Sequence, residues 1–221
     1  MEILIPFAVV GGVLLIVAAA AYSAHVAEKK RIESLRQVAQ DLGFDFEPKG
    51  DAAFLQSLGL FHLFSQGHSK ALSNLLRGKA QDLEVAIFDY RYVTGSGKHR
   101  HTWNHSVVCF RFGGTNLPAF SLRPENISHK IGAWFGSQDI DFESHPGFSR
   151  RYLLRGNQEK AIRELFNTAV LDFYEAKPGL CTEGGGDMLL FYRSGVRAKP
   201  EAIRAFMEEG FQVLGLFHPL G

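Results

Sequence analysis

Cysteine is scarce in this chain: Cys109 and Cys181 are the only two in 221 residues. That excludes a disulfide-stapled scaffold, and the absence of any CxxC spacing excludes the common cysteine-based zinc sites. Cys109 falls in Ser106-Val-Val-Cys-Phe-Arg-Phe112, a run of strand character where a buried free thiol is expected. A charge excess is lacking as well. With 24 Lys and Arg against 23 Asp and Glu, the net charge is +1. A nucleic-acid binder carries a basic surplus, so that class is excluded as a property of the whole chain.

Catalytic signatures are also missing. There is no GxSxG and no HExxH. Gly95-Ser-Gly-Lys98 is not a phosphate loop, because Tyr92 stands where the first glycine belongs and His99 where the hydroxyl belongs. What remains is a folding composition, 46% hydrophobic and 21% charged, with 19 phenylalanines.

The longest apolar run is Ile3 to Tyr22, with no charged residue in it. As a helix it reaches about 30 Å, the hydrocarbon thickness of a bilayer, so residues 3–22 are expected to contact lipid as a transmembrane helix. Lys29, Lys30, Arg31 and Arg36 follow it and nothing basic precedes it. The positive-inside rule then expects a single-pass signal-anchor in the cell membrane, N-terminus outside and the remainder cytoplasmic. Cleavage near Ser23-Ala24 is the alternative, disfavoured by a Met-Glu start without a basic residue.

Ile32, Leu35, Val38, Ala39 and Leu42 recur at helical steps before Gly43, and no Gly or Pro separates them from the apolar run. One helix from near residue 3 to near 42 is expected. The organisation read here is an anchor at 1–25, a juxtamembrane helix at 26–43 and an α+β domain at 44–221. That domain either forms one unit or divides into lobes at 44–147 and 148–221.

Within it, Asp51 caps a brief helix, and Leu83–Val93 and Thr102–Phe112 alternate as strands of an antiparallel β-meander. Pro124–Trp134 has the pattern of an amphipathic helix. A strand at Phe148–Arg155, a helix through Gln158–Ala176, a hairpin turning at Gly184–Asp187 and a last helix opened by Pro200 make a strand-helix-hairpin-helix module.

The one cluster suggestive of metal is His99, His101 and His105, which alternate along a strand and so share a face. Lys98 and Arg100 oppose a divalent cation there, so a polar strand face is the plainer reading. Asp139, Asp141 and Glu143 also alternate, but Ile140 and Phe142 between them indicate an extended segment with one wet side.

Leu75-Leu-Arg-Gly-Lys79, Phe88-Asp-Tyr-Arg-Tyr92, Phe120-Ser-Leu-Arg-Pro-Glu125, Phe148-Ser-Arg-Arg-Tyr-Leu-Leu-Arg-Gly156 and Glu183-Gly-Gly-Gly-Asp187 occur in this order. Together they resemble a bacterial membrane-anchored family of unknown function. The resemblance implies location and fold, and supplies no catalytic residues. The resulting expectation is a non-enzymatic binding or scaffold module with an unidentified protein partner and no cofactor. The alternatives are a metal-assisted enzyme using His99, His101 and His105, and a lipid-head-group-binding domain.

Overall fold

The computed structural model describes residues 4–80, 83–114, 116–125 and 139–218, with the side chains of residues 4–14 and 80 excepted. The first element, α1, runs unbroken over Leu4–Leu42 and ends at Gly43, whose positive φ terminates it. Its Leu35 and Ala39 are buried and Val38 and Leu42 pack beside them, as their spacing predicts. Ahead of that contact Leu15, Ile16, Val17 and Tyr22 stand exposed.

The transmembrane expectation is corrected here. Among the described residues no helix is long and apolar enough to cross a membrane. The single-pass, signal-anchor and cell-membrane readings fall with it.

After α1 come β1 (Asp45–Glu47), α2 (Ala52–Ser57), α3 (His62–Ser65), β2 (His68–Ala80), β3 (Leu83–Thr94), β4 (His101–Phe112) and β5 (Leu117–Pro124). Beyond residue 138 follow α4 (Pro146–Arg151), β6 (Tyr152–Gly156), α5 (Glu159–Leu165), α6 (Thr168–Ala176), β7 (Cys181–Gly186), β8 (Met188–Tyr192) and α7 (Ile203–Phe217). The fold is α+β, with an eight-stranded sheet in the order β1-β2-β3-β4-β8-β7-β5-β6. All its pairings are antiparallel. The β7–β8 hairpin inserts between β4 and β5, so strands from 44–147 and from 148–221 share one sheet.

Three local expectations change. Phe148–Arg155 is not all strand: Pro146 opens α4, buries Phe148, and leaves only Tyr152–Gly156 extended. The helix expected over Gln158–Ala176 breaks at Asn167, whose Oδ1 accepts from the amides of Ala169 and Val170 and so starts α6 afresh. Gly184 and Gly185 lie inside β7, and the chain turns only at Gly186-Asp187. The helix expected at Pro124–Trp134 lies outside the described residues from 126 onward.

Two layers cover the sheet. On one face α1, α4, α5, α6 and α7 bury Leu35, Phe148, Ile162, Val170 and Phe217 against Val108, Phe110, Leu122 and Phe191. On the other, α2, α3 and the turn between them lay Phe54, Leu58, Phe61 and Phe64 over Phe88, Tyr90, Val107 and Leu190. Each buried side chain of this kind contributes about 1.5–3 kcal/mol.

Candidate functional site

The second layer is short, and it leaves part of its sheet face uncovered. Between α2 and strands β2, β3 and β4 lies an open groove of about 580 Å3, within the size range of small-ligand sites. Its floor is built of small side chains, Ala86 and Cys109, and Phe54 and Ser57 form one wall. Its rim carries both signs: Arg77, Lys79 and Arg111 against Asp45, Asp51 and Glu84. Arg77 reaches Asp51 at 2.7 Å and lies over the Phe54 ring, so the wall is fixed to the rim. Burial pushes the Cys109 thiol up to about 12, which leaves it protonated and unreactive.

Two polar clusters sit elsewhere in the sheet. On the α1 side, Asp89 of β3 accepts from Arg31 of α1, from Arg197 after β8, from Asn74 of β2 and from Ser106 of β4. Arg197 also grips Glu28 of α1 at 2.8 and 2.9 Å, and that pairing holds the Glu28 carboxyl below its usual range. Asn74 can aim at both carboxylates because it occupies a bulge in β2 with φ +52, a conformation asparagine tolerates. Apart from the Asn74 Oδ1, which is buried without a partner among the described residues, these groups satisfy one another and tie α1 to the sheet.

On the opposite face, Glu183 of β7 is fully buried. Its Oε1 accepts from the Tyr192 hydroxyl at 2.7 Å and from the Leu63 amide at 3.1 Å, which joins α3 to the sheet. Burial pushes its carboxyl up to about 7, partly opposed by these donors and by Arg123. His62 is pushed down to about 4 by burial and by Arg123 and Arg155. The structure thus gathers Arg123, Arg155 and Glu183, which belong to three separate motifs of the sequence.

The three histidines do not converge. His99 ends a turn of 3-10 helix outside the strand, exposed like His101 at the start of β4. His105 is buried, stacked on Tyr92, with Trp103 between it and His101. At ~3.3 Å per strand residue the ends of that span lie about 13 Å apart, too far to share one ion. Among the described residues no three His, Cys, Asp or Glu side chains are placed to hold a metal. Asp139 takes a structural role: its Oδ1 accepts from the amides of Ile140 and Leu154, covering the edge of β6.

Asp89 and Glu183 escaped the sequence reading as site residues. The available signal was an ionisable residue in the middle of an apolar strand, Phe88-Asp-Tyr90 and Cys181-Thr-Glu183. Such a residue is buried only with partners, and the partners come from elements far away in sequence.

No family model matches the chain, and no curated protein matches it. Among solved structures it is similar to the crystal structure of the mycobacterial trehalose monomycolate transport factor A, TtfA. The TM-score is 0.59 at 12% sequence identity, over 88% of this chain and 98% of that one. The likeness is one of fold.

Proposed function

We propose that the chain is a non-enzymatic binding module that holds a protein partner in the groove between α2 and strands β2 to β4. The observation that carries this reading is the open groove itself, lined by Phe54, Ser57, Ala86 and Cys109 beneath a rim of both charges. A rim of mixed sign suits a peptide surface better than a polyanion, which would meet Asp45, Asp51 and Glu84. The ionisable groups that cluster elsewhere are committed to holding elements together, Asp89 to α1 and Glu183 to α3. None of them faces the groove.

The test uses the full chain in its native cells. A photo-crosslinking residue at Ser57, on the groove wall, is expected to trap a discrete protein species. Placed at Glu164, on an exposed part of α5, it is expected to trap none. Ala86→Trp, which fills the floor, should remove the product from Ser57 while circular dichroism stays unchanged. Equal products from both positions would overturn the reading. So would stoichiometric zinc or iron in the purified chain that is lost on combining His101→Ala with His105→Ala.

A further inference from the structure

Beneath α3 lies a second, much smaller space, about 20 Å3, distinct from the groove. It is large enough for one water molecule or one monatomic ion. Arg123, His105, Tyr92 and Gln66 border it. Two of these side chains have no hydrogen-bond partner among the described residues. Arg123 is buried, yet no hydrogen bond or ion pair from its guanidinium reaches any described residue. His105 is 1% exposed, and neither ring nitrogen has a hydrogen-bond partner, although the Tyr90 carbonyl lies near enough to favour its proton slightly.

The surrounding charge is unbalanced. Arg155, whose buried Nε also lacks a partner, adds a second cation beside Arg123. Among the described residues the carboxylate close by is Glu183, already engaged by Tyr192 and Leu63. A buried cation without a bonded counter-charge is costly, and a neutral water would leave the imbalance in place. We propose that this cavity binds a single halide-sized anion, held by the guanidinium of Arg123 and an N–H of His105.

The anion would sit near Glu183, so its uptake is linked to a proton. The ionisable groups lining the cavity are His62 on α3, Tyr92 on β3, His105 on β4, Arg123 on β5, Cys181 on β7 and Tyr192 on β8, with Arg155 on β6 and Glu183 on β7 close behind them. Both histidines are pushed down to about 4, and Cys181 and Tyr92 are pushed up to about 12. Burial also raises Tyr192 and lowers Arg123; a guanidinium stays charged in proteins. Glu183, at about 7, changes charge near neutrality, and its protonation removes the repulsion. Halide therefore binds more tightly at pH 6 than at pH 8.

The full chain is melted in sodium bromide and in sodium gluconate at equal ionic strength. Gluconate is too large to enter. Bromide at tenfold its dissociation constant is expected to raise the midpoint by about 3 °C or more, with a larger shift at pH 6 than at pH 8. Arg123→Gln should abolish the difference between the salts. Should that variant not fold, crystals of the unaltered chain grown in bromide decide the matter. An anomalous peak between Arg123 and His105 supports the site. Equal midpoints in the two salts, or a crystal with no such peak, overturns it.

Discussion

Arg31 and Asp89 meet side-on, with Nε and Nη2 of the guanidinium each 2.9 Å from one carboxylate oxygen. The pair is nearly buried and joins residues far apart in the chain. Asp89 also holds Arg197, so Asp89→Ala leaves two guanidinium groups without their shared anion. Breaking a buried pair from one side costs about 3–5 kcal/mol. Urea unfolding at pH 7 should register that loss, with a much smaller one for Glu28→Gln, whose side chain is 40% exposed. Equal effects would mean that Asp89 is not the hub of the network.

Glu183 makes stability depend on pH in an unusual direction for a carboxylate. Its folded value of about 7 lies above the ordinary 4.5, so between them the folded state binds the extra proton. Its stabilising contribution is fully present below 4.5 and is lost as pH rises through 7. The loss is on the order of 3 kcal/mol, because each unit is ~1.4 kcal/mol. Glu183→Gln removes this slope. Relative to wild type, the variant should gain stability steadily from pH 4.5 to pH 7 in denaturant titrations. A constant difference across that range would show that Glu183 stays charged when folded.

His105 acts on the acid side with the opposite sign. Burial pushes it down to about 4, so it stays neutral in the folded state while the unfolded chain protonates near 6.5. Stability from this residue is lost as pH falls between those values. His105→Phe keeps the stacking on Tyr92 and removes the proton. Its advantage over wild type should widen from pH 6.5 down to pH 4.5, as read by thermal melts in gluconate.

Gly184 marks a contact that a side chain would destroy. A Cβ there would overlap the edge of the Phe120 ring, itself buried among Phe166 and Phe217. Gly184→Ala should cost about 1–3 kcal/mol as an overpacked core does. Gly113→Ala, where nothing lies within 4 Å, should cost far less. Circular dichroism melts of the two variants make the comparison.

Cys109 and Cys181 are both free and buried, and burial pushes both thiols up to about 12. A thiol reagent at pH 8 should modify neither in the native chain and both in denaturant. The labelling rate then reports opening of the sheet face that carries them. Fast labelling of Cys109 alone would place it on an accessible groove floor.

The elements that could be read in advance were those with local causes. The helical spacing of Leu35, Val38, Ala39 and Leu42, the cap at Asp51 and the alternation from Leu83 to Val93 each depend on neighbours a few residues away. The misread elements depended on one residue overruling a pattern, Pro146 in an apparent strand and Asn167 in an apparent helix. The clusters around Asp89 and Glu183 were hidden for a different reason. Arg31, Asn74, Asp89 and Arg197 become neighbours only when α1 crosses the sheet and β8 lies beside β4. The histidine cluster failed because strand alternation aligns side chains on one face without bringing their ends together.

The position of the β7–β8 hairpin imposes an order in time. Val107 pairs with Tyr192, and the stretch between them takes on the order of ten seconds to emerge from a ribosome. During that interval the nascent chain carries a finished β2–β3–β4 meander whose outer strand offers Val107, Val108 and Phe110 to any passing edge. The β5 strand does not fill the gap in the finished sheet, where it lies between β6 and β7. Synthesis therefore passes through a sticky half-sheet, which becomes safe only when β8, Met188–Tyr192, pairs with β4.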